Sequence, residues 1–346
     1  MTTVTMFLGG AGARETNIVA GQLTSPGLNG WKWTAASGFG TKYTLTSTSY
    51  NGQDCRFGAG GSVIGIASRL VTAANRISAV PFSSSGFGTQ YAGVVTVPTG
   101  DCFSVGFSNL GGSMAVAHSG APAVSAYPFS VSSGFGTKYA NPASGLGTNG
   151  IAVAFNANDT YISAGTSASP FVHAYPWSTS TGFGTKFSNP ATLPASTNYI
   201  QFNPATTAVV GSQSSSPFIY GYPFSSGGFG TKYSNPGTLP ANLSRKVAFN
   251  STGDVVAVAH ATTPFITAYP FSPSTGFGTK FANPASIAAD GLGVAFGAGD
   301  SAISLGHATA TPWMAVWAWS PSGFGTRYSN PAAPPATSVE AVTFDN

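Results

Sequence analysis

The sequence predicts an all-β fold, with seven four-stranded antiparallel blades closed into a ring. Three observations lead there. Of the 346 residues, 45 are Gly and 24 are Pro, which in a helix interior cost about 1 and about 3 kcal/mol each. Apolar residues make up 42% of the chain and charged residues only 6%, so there is surface enough for a large core and none of the composition of a disordered chain. Third, the tetrapeptide Gly-Phe-Gly-Thr begins at Gly38, Gly86, Gly134, Gly182, Gly228, Gly276 and Gly323, at intervals of 46 to 48 residues.

Each repeat holds four short apolar or alternating segments bounded by turn residues, the pattern of strands. In one copy, strand A is Ile151 to Phe155, B is Tyr161 to Ala164, C is Phe171 to Trp177 and D is Thr185 to Phe187. The A–B turn is Asn156-Ala157-Asn158-Asp159, residue types that tolerate left-handed backbone and bond to their own main chain. Asn189-Pro190 and Pro194 form a rigid D–A link, since proline cannot continue a strand. Four strands per repeat, seven times over, is the arithmetic of a β-propeller built around a central channel. A β-solenoid has shorter coils, and helical repeats need a 3.6-residue periodicity that this chain lacks. The whole of 1–346 reads as one domain.

The phenylalanine that ends strand A recurs at Phe7, Phe57, Phe107, Phe155, Phe202, Phe249, Phe296 and Phe344, eight copies against seven of B, C and D. Residues 339–346 are therefore expected to complete the first blade beside Asn17 to Gly21. The N-terminal copy fits less well, because 11 residues separate Phe7 from Ile18 where 7 separate Phe155 from Ile162. It would be left free for a partner or another sheet edge.

The phrase Phe-Asn-x-x-Gly-Asp followed by Val-Ala-Val-Ala, at Phe249 to Ala259, resembles WD40-like and YVTN-type propeller repeats, and the likeness covers essentially the entire chain. No Trp-Asp dipeptide is present, so the WD40 hydrogen-bond set is not implied. The wording Gly-Phe-Gly-Thr-Lys with Asn-Pro-Ala-x-x-Pro is similar to propeller proteins of tailed phages, and this resemblance implies a virion component.

Gly9-Gly10-Ala11-Gly12, Gly58-Ala59-Gly60-Gly61, Gly111-Gly112 and Gly297-Ala298-Gly299 occupy A–B turns; a phosphate loop leads into a helix N-terminus, whereas these lead into strands. Most of the 25 Phe, 13 Tyr and 6 Trp recur at fixed repeat positions, including Trp33, Phe82, Phe129, Trp177, Phe224, Phe271 and Trp319 at the end of strand C. Such positions read as blade-to-blade packing, with Trp313 the expected exposed exception. Lys42, Lys138, Lys186, Lys232, Lys280 and Arg327 follow the tetrapeptide, with Gln90 in the second copy. They form an outer basic ring, readable as an attractor of anionic partners or as protection of an edge strand, the latter preferred. His118, His260 and His307 end strand B, with Gln213, Gln22 and Thr166 at or near the same place. Beside the B–C loops, His118, Gln213, His260, His307 and Trp313 are the expected ligand-binding residues.

No metal site is expected, because the histidines fall in different blades, and no cofactor. No catalytic residues are assigned: Asp159, Asp254 and Asp300 are held apart around the ring, while paired-carboxylate hydrolysis needs groups about 5 to 10 Å apart. Glu15, Asp54, Asp101 and Asp290 are left as candidate site residues, though nothing in the sequence positions a base beside a nucleophile. Cys55 and Cys102 read as buried thiols near A strands of adjacent blades. The net charge of +4, from 13 basic and 9 acidic residues, is too sparse to argue for nucleic acid. No apolar run spans a membrane, and the N-terminus lacks the basic start of a signal peptide. The expectation is a non-enzymatic component of a phage particle, in the head decoration, tail or fibre, contacting other virion proteins or host-surface glycans. It would lie on the virion surface, cytoplasmic until assembly, in a homo-oligomeric or multi-copy arrangement. The alternative is a free carbohydrate-binding propeller, a lectin with several loop sites.

Overall fold

A computed structural model describes residues 16–45, 50–144, 146–285, 289–297, 299–308 and 311–345. They form seven antiparallel four-stranded sheets arranged as a propeller. Blade 1 takes strand A from the C-terminus, Val339–Phe344, and continues through Thr16–Gln22, Leu28–Thr34 and Gly38–Tyr43. Strand A begins at Asp54 in blade 2, Cys102 in blade 3, Gly150 in blade 4, Tyr199 in blade 5, Ser244 in blade 6 and Gly291 in blade 7. Closure of the ring is by backbone pairing, with Ile18 opposite Phe344 and Ala20 opposite Val342. Phe7 and the rest of 1–15 lie outside the described residues.

Strand B is buried on both faces in every blade, as in Val255–His260, Ser113–His118 and Ala302–His307. Each sheet is sandwiched between two others, so these strands read as nearly continuous runs of Ala, Val, Ile and Gly rather than as alternation.

The aromatic at the end of strand C is the hub of each blade. Trp33, Phe82, Phe129, Trp177, Phe224, Phe271 and Trp319 each meet three rings edge to face: the strand A Phe, the tetrapeptide Phe, and an aromatic from the preceding blade. All of these centroids are 4.8 to 5.8 Å apart. Such pairs contribute about 0.5–1.5 kcal/mol each beyond area burial. The ring from the preceding blade is a Tyr or Phe two residues after the tetrapeptide Thr. Where it is Tyr, its hydroxyl donates to the next blade's C–D turn, as from Tyr91 to Val131 O at 2.7 Å and from Tyr233 to Pro273 O at 2.6 Å.

Strand D differs from the expected Thr185–Phe187. In blades 2 to 6 it is two residues long, as in Gly182–Phe183. The cause sits on strand C: Pro81, Pro128, Pro176, Pro223 and Pro270 use their carbonyls on the D side, as in Gly184 N–H to Pro176 O at 2.9 Å, and have no N–H to return. Blades 1 and 7 carry Lys32 and Ala318 there, and their D strands run to six and five residues.

The acidic turn residues clamp neighbouring blades. The Asp159 carboxylate accepts the N–H groups of Asn109 and Leu110 at 2.6 and 2.8 Å, and that of Asp300 accepts Ser251 N–H at 2.9 Å. Asp254 does not share this position; it lies one residue later in its turn and binds Asn250 and Thr252 locally.

The first Gly of the tetrapeptide is required twice over. Gly276 has φ of +82°, and a Cβ there would lie 2.8 Å from Tyr233 of the preceding blade. Gly60, at φ +65°, has open space around it. Gly276→Ala is therefore expected to destabilise the fold by about 2 kcal/mol or more, and Gly60→Ala by about 1 kcal/mol. Equilibrium urea unfolding of the two variants checks this; equal losses would remove the inter-blade contact from the account.

Candidate functional site: the central channel

The A strands line a channel, and most of its wall is small because seven strands converge there. At the position just before the strand A Phe, the copies read Gly106, Ala154, Ala248, Ala295 and Thr343, but also Arg56 and Gln201. Deeper in, they read Ser104, Ala152, Gly293 and Ala341, but also Asp54, Tyr199 and Lys246. The five intruders come from blades 2, 5 and 6 and meet in mid-channel.

Lys246 Nζ donates to Asp54 Oδ1 at 2.6 Å, and Val105 N–H donates to Asp54 Oδ2 at 3.0 Å. Both side chains are largely out of water, 12% exposed for Lys246 and 2% for Asp54. The Arg56 guanidinium donates to the Tyr199 hydroxyl. Arg56 and Lys246 also lie against the Tyr199 ring, 5.2 and 5.4 Å from its centroid. Burial works against the Lys246 ammonium, but Asp54 and Tyr199 outweigh it and its pKa is raised. Arg56 is likewise held charged against burial by Tyr199 and Asp54. For Tyr199 it is burial itself that raises the pKa, despite the two cations, and it stays a neutral donor and acceptor. The cluster thus carries two cations and one carboxylate. An ammonium has three donors and a guanidinium five, so each cation keeps N–H groups beyond these contacts.

On the A–B turn side the cluster opens into a cavity of about 430 Å³, with Arg56 and Gln201 in its lining. The Asn residues around this mouth are committed to their turns: Asn156 Oδ1 accepts the N–H groups of Thr160 and Tyr161, both at 2.8 Å. A central cavity of about 170 Å³ contains Asp54, Arg56, Tyr199, Gln201 and Lys246 together. What the arrangement offers is a cationic, hydrogen-bonding floor beneath an open mouth, suited to holding an anion and to stabilising negative charge that develops on a bound molecule.

The residues expected to bind a ligand at the B–C loops lie at those loops but do not face solvent. His118, His260 and His307 are 0 to 2% exposed, and Gln213 is 1%. They are buried between blades rather than presented on a face. Gln213 ties loops together, giving Nε2–H to Ser215 O at 3.0 Å and accepting Ala195 N–H at 3.1 Å. Trp313 is half-buried and belongs to the repeat after all: it follows Pro312 with φ of +68°, as Phe171, Phe218 and Phe265 follow their prolines at +66° to +67°. Its carbonyl accepts His307 N–H at 2.9 Å, so it is the blade 7 copy of a turn position.

The outer basic residues are half-buried and engaged locally. Lys186, Lys232 and Arg327 donate to Asn189, Asn235 and Asn330 at 2.7, 3.0 and 3.0 Å. Lys138 and Lys280 reach Asn141 and Asn283 in the same way, and Lys42 lies 5.4 Å from the Trp31 ring. The Asn of each Asn-Pro link is thus what most of them hold. Asp101 accepts Leu70 N–H at 3.1 Å, a loop contact. Cys55 and Cys102 are buried free thiols; burial and then Asp54 push Cys55 up to about 12. Among the described residues no cluster of metal-ligating groups occurs. Among the same residues no helix is long and apolar enough to cross a membrane. Glu15 lies outside the described residues.

No family model matches the chain, and neither does any curated relative. Solved structures do. A protein from Bacteroides uniformis, provisionally named a 6-phosphogluconolactonase, superposes with a TM-score of 0.75 at 11% identity, covering 95% of this chain and 99% of its own. One from Bacteroides fragilis with the same provisional name gives 0.73 at 11% identity over 95% and 98%. A Lactobacillus plantarum protein gives 0.73 at 12% identity over 95% and 99%. The likeness is one of fold. It nevertheless corrects the expectation of a non-enzymatic protein, because this same ring is found in proteins named for an enzyme class.

The buried histidines set a pH dependence. Burial lowers His118, His173, His260 and His307 to about 4 from an ordinary 6.5. Between those limits the unfolded chain binds protons that the folded one refuses, so stability falls as pH drops from 6.5 towards 4. Each histidine contributes about 1.4 kcal/mol per pH unit at most. His260→Gln, which installs the residue found at Gln213, is expected to flatten this slope by about one proton. Urea unfolding between pH 4.5 and 7.5 checks it, and an unchanged slope would count against the assignment.

Proposed function

We propose that the protein binds a small, hydroxylated anion of the sugar-acid or sugar-phosphate class in its central channel, entering from the A–B mouth. The observation that carries this reading is the pairing of two cations, Arg56 and Lys246, with the single carboxylate Asp54 beneath a cavity of about 430 Å³. An incoming anion completes the charge balance where desolvation makes each contact stronger than in water. Gln201 adds an amide to the same wall, within reach of hydroxyl groups.

The provisional names of the two Bacteroides proteins make a phosphorylated aldonolactone the first substrate to try. In its hydrolysis, water adds to the lactone carbonyl, the ring C–O bond breaks, and the product is a carboxylate with release of a proton. The cations would hold the anionic groups and stabilise charge on the carbonyl oxygen. The particle-component reading leans instead on the repeat wording, and the lectin reading on B–C loop residues, of which His118, Gln213, His260 and His307 are buried.

Calorimetric titration with 6-phosphogluconate, and proton release from 6-phosphogluconolactone, test the proposal. Binding is expected to weaken about tenfold or more in Arg56→Gln, the loss of one charged hydrogen bond, with thermal stability retained. Lys246→Met is expected to be destabilised by about 3–5 kcal/mol instead, because Asp54 is left buried without its counter-charge. Failure of the wild-type protein to bind sugar phosphates or sugar acids would overturn the reading.

A further inference from the structure

The opposite mouth of the channel, on the D–A side, has a chemistry that an anion site does not use. It is a cavity of about 220 Å³. Its rim is set by β-bulges near the start of strand A: the register skips between Cys102 and Ser104, Gly150 and Ala152, Ser244 and Lys246, and Gly291 and Gly293. A bulge re-aims the extra residue, and here it directs Phe103, Ile151, Arg245 and Leu292 to the mouth, with Glu340 of blade 1 in the corresponding place.

Three of these are apolar, and the two charged ones are opposite in sign. Leu292 of blade 7 stands between Arg245 of blade 6 and Glu340 of blade 1, and neither forms an ion pair among the described residues. Arg245 is exposed, and among the described residues Glu340 accepts the Ser338 hydroxyl alone, at 3.1 Å. Opposite charges that face one cavity without meeting, in a wall that mixes Phe103, Ile151 and Leu292 with Gln53, Asn198 and Lys246, suit a ligand that carries both charges and an apolar part.

We propose that the D–A mouth binds a free apolar α-amino acid as its zwitterion. The Arg245 fork takes the carboxylate, Glu340 takes the ammonium, and the side chain rests on Phe103, Ile151 and Leu292. Tyr199 and Lys246 close the cavity below, leaving depth for one residue. A simple anion is disfavoured by Glu340 and a simple amine by Arg245. This site shares its floor, Tyr199 and Lys246, with the sugar-anion site but uses none of Arg56, Gln201 or Asp54, so Arg56→Gln tests that reading while Arg245→Gln and Glu340→Gln test this one.

The test is calorimetric titration of the full chain with L-leucine, glycine, 4-methylpentanoate and 3-methylbutylamine. Leucine is expected to bind, with the two analogues that lack one charge about tenfold weaker or more, and glycine weaker as well. Arg245→Gln and Glu340→Gln should each lose leucine by a similar factor at unchanged melting temperature, while 6-phosphogluconate titrations of Arg56→Gln stay independent of them. Equal binding of leucine and 4-methylpentanoate, leucine binding unaltered in either variant, or no heat with millimolar leucine and folded wild-type protein would each overturn the proposal.

Discussion

The ring rests on one repeated contact, the edge-on aromatic that each blade inserts against the strand C hub of the next. Tyr43 meets Phe82 at 5.4 Å, Tyr139 meets Trp177 at 5.0 Å, and Tyr328 closes the circle on Trp33 at 4.8 Å. A blade alone leaves both faces of its sheet wet, and only stacking removes them from water. The hub also fixes its surroundings. The turn glycine is needed because the incoming ring passes where a side chain would sit, and the tyrosine hydroxyls convert the same contact into a bond to the next turn.

Given that frame, the channel is a consequence of geometry rather than of packing demand. Seven inner strands converge, so the wall tolerates little volume, and Ala, Gly and Ser fill most of it. Asp54, Arg56, Tyr199, Gln201 and Lys246 depart from this in three blades at once. Charges taken from water carry a desolvation cost of several kcal/mol per ion, offset here by the Lys246–Asp54 bond at 2.6 Å and the N–H of Val105 on the other carboxylate oxygen. Leu or Val at these places would satisfy a structural requirement at lower cost. The two ends of the channel then differ by simple means: turns at one, bulges at the other.

Architecture was legible because repetition multiplies a weak signal. One Gly-Phe-Gly-Thr is uninformative, whereas seven at regular spacing specify the blade number, and an eighth strand A Phe at Phe344 specifies the closing strand. The strand D register was misread because the Thr-Lys-Phe alternation looks like a strand, while the deciding residue, Pro176, lies on the neighbouring strand. Trp313 was missed as a repeat position for a similar reason: its counterparts Phe171, Phe218 and Phe265 share only a preceding proline. His118, His260 and His307 were assigned to a surface because polar residues at strand ends usually reach one, yet here both neighbouring sheets extend past them.

The channel cluster is hidden by the same repetition that reveals the fold. What the copies share is packing. A site that occurs once in a ring must break the repeat, so its signature is a large or charged residue where the other copies keep a small one. Arg56 against Gly106 and Ala154, and Lys246 against Ser104 and Gly293, have that signature in the sequence itself. By the same reasoning Arg245 and Glu340 stand out at bulge positions where Phe103, Ile151 and Leu292 are apolar. In a repeat protein the search for function therefore runs opposite to the search for fold, through inward-facing exceptions whose burial has to be compensated by a partner within the chain or by a ligand.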